Sequence, residues 1–384
     1  VAGRKADAIS SIHPTGAWPT NLGRRPPREE TVLRHVRGMK AAALLLAGSM
    51  ALAACASDET DSTAGGSGSS ASAGDLKIGL AYDTGGRGDK SFNDSAYAGV
   101  EAAIKTNGGE VQELSPNSDA SNRADLLTQL ADGGYNPIIA VGFAYGDVIG
   151  DVAKQYPETT FAVVDSTGVD LGTGNVTGLQ FAANEGSFLG GVAAALKSET
   201  DHVGFVGGVE TPLIQSFEAG YVAGAKAVNP DIVVDVSYIS PAGDFSGFSD
   251  PAKGKIVAQG MYDKGADIVY AAAGGSGIGV FQAAAASGKR AIGVDSDQYQ
   301  TVGDPALQPV IMTSVLKRVD NAVEAFIGDF VDGNVKGGTD IVSDLSTDGV
   351  GLAASGGFID DIQDQVDEYK QKIIDGEITV PETP

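Results

Sequence analysis

The sequence is poor in the residues that build metal sites and covalent catalysts. It has one cysteine and three histidines in 384 residues. Cys55 cannot form an internal disulfide. His13, His35 and His202 are scattered, and neither C-x-x-C nor H-E-x-x-H spacing occurs, so no metal centre is expected. Basic residues are also scarce: 26 Lys and Arg stand against 50 Asp and Glu, for a formal charge of −24. Binding phosphates requires clustered cations, so nucleic acid is excluded as a partner. There is no G-x-S-x-G and no G-x-x-x-x-G-K-[ST], and no histidine lies near a candidate serine or aspartate. Serine hydrolase and phosphate-loop chemistry are therefore unsupported, and no cofactor is expected. Hydrolysis by a pair of carboxylates among Asp83, Asp165 and Asp295 is the one enzymatic scheme left, and it has little else behind it. The chain reads as a non-enzyme.

Its N-terminal part reads as processing signals. Residues 1–38 are irregular and polar and are taken as an upstream extension, with Met39 as the true start. Residues 39–54, MKAAALLLAGSMALAA, form a signal peptide whose apolar run is too short to span a bilayer. Leu52-Ala53-Ala54-Cys55 resembles the bacterial lipobox, which makes Cys55 a lipidation site. An ordinary secretory signal with a chance cysteine is the alternative. Residues 55–75 are nearly devoid of apolar side chains and suit a flexible tether. The chain is thus expected at the extracytoplasmic face of the cell membrane, held by a lipid anchor, as a monomer.

From residue 76 onward, short apolar runs alternate with helical patterns. Strands are expected over 76–82, 137–141, 160–165, 176–181, 203–207, 232–239, 267–271, 291–295 and 310–314. Helices are expected over 91–107, 120–132, 145–155, 184–196, 213–228, 251–264, 278–287, 315–332 and 360–374. Such alternation predicts an α/β fold with parallel sheets covered on both faces. A repeat supports two similar lobes. The stretch beginning at Asn136 aligns without a gap to the stretch beginning at Ala266, and both end in Val-Asp-Ser, at Val164-Asp165-Ser166 and Val294-Asp295-Ser296.

Ligands of open α/β sheets sit outside the carboxyl ends of the strands. That rule assigns the loop after Tyr82, Gly142–Tyr145, Asp165, the loop after Ile239, Gly274–Gly277 and Asp295 to one cleft. Phe92 and Asn93 stand where the glycine-rich stretch YDTGGRGDKSFND turns into a helix. Phe92, Phe248, Phe245 and Phe217 could sandwich a flat ring, and Asp83, Asp165 and Asp295 could accept hydrogen bonds from a base edge or sugar hydroxyls. Gly274 could meet the ligand closely, and Lys317 is a candidate cleft cation. Each has a plainer reading: core packing for the aromatics, capping or solvation for the charged groups.

Taken together, KIGLAYDTGGRGDKSFNDSAYAGVEAA, VGFVGGVETPLIQSFEAGYVAGAKAVNPDI, YAAAGGSGIGVFQAA, GVDSDQ and TSVLKRVDNAV resemble the basic membrane lipoprotein family. Its members are purine-nucleoside receptor lipoproteins, the substrate-binding components of ABC transporters. The resemblance implies the type I periplasmic-binding-protein architecture: two Rossmann-like lobes joined by three crossovers, with a ligand cleft between them. It assigns 76–182 and part of about 310–340 to the first lobe, and 183–309 with about 341–384 to the second. It implies that Phe92 stacks on the base and Asn93 bonds it, that Asp83 and Asp165 read the base edge, and that Gly274, Asp295 and Lys317 meet the ribose. The second stacking aromatic stays open between Phe248 and Phe245, with Phe248 favoured, and Phe217 is a further cleft candidate. The implied partners are a purine nucleoside and an ABC transporter permease. The alternatives are a receptor for another small polar ligand, such as a sugar or autoinducer, and a surface adhesin or sensor.

Overall fold

A computed structural model describes residues 76–384. The expected upstream extension, signal peptide, lipidated Cys55 and tether lie outside the described residues.

The strands fall into two six-stranded sheets. The first begins with β1 (Lys77–Ala81), β2 (Glu110–Leu114), β3 (Ile138–Ala140), β4 (Phe161–Val164) and β5 (Val176–Phe181). The second begins with β6 (His202–Val209), β7 (Val233–Ser240), β8 (Ile268–Ala272), β9 (Arg290–Asp295) and β10 (Ile311–Lys317). The chain then adds β11 (Thr339–Ser343) to the first sheet and β12 (Val350–Leu352) to the second. The orders are β2-β1-β3-β4-β5-β11 and β7-β6-β8-β9-β10-β12, so the two sheets share one winding. All pairs of the named strands are parallel except β10 with β12.

The helices are α1 (Phe92–Asn107), α2 (Arg123–Asp132), α3 (Gly146–Gln155), α4 (Ala183–Lys197), α5 (Pro212–Val228), α6 (Pro251–Asp263), α7 (Gly277–Ser287), the short α8 (Gln298–Thr301), α9 (Val319–Val331) and α10 (Gln363–Ile374). Central strands such as FAVV of β4 and IVYAA of β8 are buried throughout, as a sheet with helices on both faces requires. Each lobe accordingly has an apolar cluster on either side of its sheet. Close approach of α4 and α5 depends on glycine, because a side chain at Gly220 or Gly224 would collide with the carbonyls of Asn184 or Phe188.

Strand, helix and sheet membership show the chain passing between the lobes three times: between β5 and α4, between β10 and α9, and between β11 and β12. The crossings lie side by side: the Ala182 N–H donates to Ser343 C=O and the Arg318 N–H to Gly349 C=O, each at 2.9 Å.

The return is finer than the sequence suggested. Val315–Lys317 continue β10 instead of opening a helix, because Val315 pairs with Val294 on one side and Leu352 on the other. β10 therefore belongs to the second sheet, α9 packs on α1 of the first lobe, and the first sheet closes only with β11.

Candidate functional site

The loop from β1 to α1 is bent by Gly85, Gly86 and Gly88, whose φ values of 94°, 63° and 99° favour glycine. Its shape is fixed by Asp89. One carboxylate oxygen accepts from the Ser91 and Asp94 N–H groups at 2.9 and 3.1 Å, and the other from Asn93 N–H at 2.8 Å and Asn93 Nδ2 at 3.1 Å. This caps α1 from within its own loop. Asn93 Oδ1 in turn accepts from the Asp83 N–H at 2.9 Å. Asn93 thus ties the end of β1 to the start of α1, and its second amide hydrogen has no acceptor among the described residues.

The repeated Val-Asp-Ser has a conformational meaning. Asp165 follows β4 and Asp295 ends the equivalent strand β9, and both have φ of 64°. This left-handed conformation is uncommon outside glycine, although aspartate tolerates it. Each turn delivers a carboxylate to the space between the lobes. Asp165 pairs with Lys317 Nζ at 2.5 Å, with side-chain exposures of 4% and 3%. Asp295 accepts a hydrogen bond from the Ser91 hydroxyl of the opposite lobe. Lys317 Nζ lies 4.7, 5.2 and 5.7 Å from the ring centres of Phe92, Phe181 and Phe217, within cation–π range.

Phe92, Phe217 and Phe248 line one cavity together with Asp83, Asn93, Asp165, Gly274, Asp295 and Lys317. All nine ligand-site residues expected from the sequence thus meet in one place, drawn from both lobes. About 540 Å3 of the cavity is free of protein atoms, part of it open to solvent. Phe245 is absent from its lining. It packs instead against the lining residue Phe143, with ring centres 5.9 Å apart.

Several lining residues were missed in the sequence: Thr84, Asp89, Phe143, Leu213, Ile214, Ala272 and Val294. Asp89 carried a usable signal, an acid placed to cap the following helix. Thr84 and Phe143 sit in segments already placed at the cleft. Behind the lining, Arg123 reaches Asp83 at 3.2 Å, with both side chains 9% exposed. No local pattern announces this pairing.

The site is acidic even after pairing. Asp83, Asp89, Asp165 and Asp295 face Lys317 and Arg123, and both cations already contact carboxylates. Burial pushes the Asp295 carboxyl up to about 6, opposed by Lys317 and the Ser91 hydroxyl. Burial also raises Asp83 and Asp89, opposed respectively by hydrogen bonding at Thr84 and the Arg123 charge, and by the backbone donors of the α1 cap. Chemically, the cavity offers flat apolar faces and hydrogen-bond acceptors, with no uncommitted cation in its described lining. It suits a neutral ligand with an aromatic face and several donors, and it disfavours anions.

Comparison with known proteins agrees with this geometry. Residues 76–384 match the Bmp family model, described as ABC transporter substrate-binding protein PnrA-like. A CD4+ T-cell-stimulating antigen of Listeria innocua is 39% identical over 361 residues, covering 90% of this chain and 98% of that protein. The ABC transporter nucleoside-binding protein BmpA of Lactococcus lactis subsp. cremoris is 37% identical over 361 residues, covering 90% and 99%. Among solved structures, an ABC transporter solute-binding protein of Aeropyrum pernix K1 superposes with a TM-score of 0.69 at 30% identity, covering 80% of this chain and 94% of that one.

Proposed function

Since the chain belongs to the Bmp family of ABC transporter substrate-binding proteins, which are not enzymes, we propose that it captures purine nucleosides outside the cell membrane and passes them to an ABC permease. The observation that carries this reading is the composition of the cavity: aromatic faces from both lobes beside a ring of carboxylate acceptors, with its cations already paired. A purine ring fills the aromatic space by offset stacking, worth about 0.5–1.5 kcal/mol beyond area burial. Base N–H groups and ribose hydroxyls would add donors to the carboxylates of Asp83, Asp165 and Asp295 beside those already held from Arg123, Lys317 and Ser91. A nucleotide would bring a phosphate into a site of excess negative charge. The nucleoside-binding relative supports the same reading. Lipidation at Cys55 would hold the receptor at the membrane through the 55–75 tether.

Thermal melting of residues 76–384 with inosine, guanosine, adenosine, ribose and a hexose tests the proposal. A ligand that binds only the folded state stabilises it by about 2.7 kcal/mol at one hundred times its Kd. Nucleosides should raise the melting temperature and ribose should not. A shift with the hexose alone would move the assignment to another small polar ligand. Flat melting with every compound would favour an adhesin or sensor.

A further inference from the structure

The segment between β7 and α6 carries two phenylalanines three residues apart. They occupy different places. Phe248 lines the cavity, whereas Phe245 crosses to the first lobe and lies over Arg123, its ring centre 4.6 Å from the guanidinium carbon. Both sit on one short helical turn, Phe245–Phe248, tied firmly to the second lobe. The Ser276 hydroxyl donates to Gly247 C=O at 2.7 Å, the Ser240 hydroxyl donates to Asp244 C=O at 2.5 Å, and the Asp244 carboxylate accepts from the Ser246 N–H at 3.1 Å. Phe245 must therefore travel with the second lobe.

Arg123 belongs to the first lobe and is placed at a cost. It is the first residue of α2 and 8% exposed. The helix dipole at that end disfavours a cation. Its Nε is buried with no hydrogen-bond partner among the described residues. What holds it is the 3.2 Å contact to Asp83, a 3.3 Å bond to Ala120 C=O, and the faces of Phe245 and Tyr145.

We propose that Phe245 and Arg123 form a gate across the cleft: the second lobe lays Phe245 on the guanidinium when the lobes close, and Arg123 carries that contact to Asp83 in the cavity wall. Arg123 is a positioning residue, since it acts on the ligand through Asp83. The kinetic arm of the test rests on the nucleoside reading; the contact itself does not.

The kinetic arm measures inosine association and dissociation for the wild type, F245A, F245W, R123K and F245A/R123K. F245A should speed dissociation at least tenfold and leave association within about twofold. F245W keeps a flat face and should release inosine slowly. R123K keeps the charge beside Asp83 but lacks the planar group that stacks, so it should reproduce most of the F245A effect. The double variant should be no faster than F245A alone. Unchanged dissociation in F245A, or effects that multiply in the double variant, would overturn the gate. The second arm needs no ligand. R123C/F245C in a Cys55→Ser background should cross-link internally with a short bis-maleimide, which traps the closed arrangement even when it is transient. Absence of that cross-link overturns the gate, whereas cross-linking in a protein that ignores inosine would keep the gate and remove the nucleoside.

Discussion

Replacing Lys317 by methionine isolates the buried ion pair at the centre of the cleft. Lys317 and Asp165 have side-chain exposures of 3% and 4% and stand 2.5 Å apart. Among the described residues, Lys317 is the side-chain donor that Asp165 meets. Methionine retains much of the aliphatic stem among Phe92, Phe181 and Phe217 but leaves the carboxylate buried without its counter-ion. Breaking a buried pair from one side costs about 3–5 kcal/mol. At the lower end of the temperature scale, about 2 °C per kcal/mol for a large domain, K317M should melt about 6–10 °C below the wild type without ligand. Asparagine tolerates the left-handed backbone of position 165, so D165N/K317M removes both charges without adding strain there. The double variant should regain at least half of the loss. Calorimetry on the wild type, both single variants and the double variant closes the cycle. Melting of K317M within about 2 °C of the wild type, or a double variant equal to the sum of the singles, would refute the reasoning.

Phe92→Ala should weaken nucleoside binding by about 2–4 kcal/mol, as loss of an aromatic anchor does, while ligand-free melting falls only modestly because the ring is half-buried. Isothermal titration beside a ligand-free melt checks it, and intact affinity with a large melting loss would remove Phe92 from the site. Asp295, raised to about 6 in the folded protein from 3.8, gives a pH signature. Its contribution to stability is fully present below 3.8 and is lost as pH rises through about 6. Ligand affinity should run the other way, because protonation removes an acceptor: up to about tenfold weaker per pH unit below 6. In D295N that component should vanish, and an unchanged affinity-pH profile would exclude Asp295 as its source. Finally, Cys55→Ser should free the protein from membranes without altering its melting; retention after a carbonate wash would contradict the lipid anchor.

The central strands and long helices were legible because burial on both faces leaves continuous apolar runs, as in the strand ending at Val164 or the one at Ile268. Most of the cleft segments followed from one topological rule, that loops after parallel strands converge, but Phe217 and Lys317 fall outside it. Of the four sheet edges only β7, expected over 232–239, was legible. EVQEL of β2 and TDIVS of β11 carry acidic or polar residues, and the exposed Ile341 and Val342 give no alternating signal. VGL of β12 is too short to register. Partnerships across long separations were invisible for a different reason. Lys317 and Asp165 are 152 residues apart, and Arg123 and Asp83 are 40 apart. Nothing local marks which cation meets which carboxylate. The separate places of Phe245 and Phe248 likewise depend on the turn that aims them.

The triple crossing also sets an order of events as the chain is made. The first sheet lacks its outer strand until Thr339–Ser343 exist, and its helix α9 comes only after β10. A nascent chain of some two hundred residues would therefore hold β5 as a bare edge and an uncovered face on α1, both open to wrong pairing. Neither lobe is a contiguous stretch that a ribosome could finish and release. Assembly of both is deferred to the last part of synthesis, so a truncation just before β11 should leave not one sound lobe but an aggregation-prone chain.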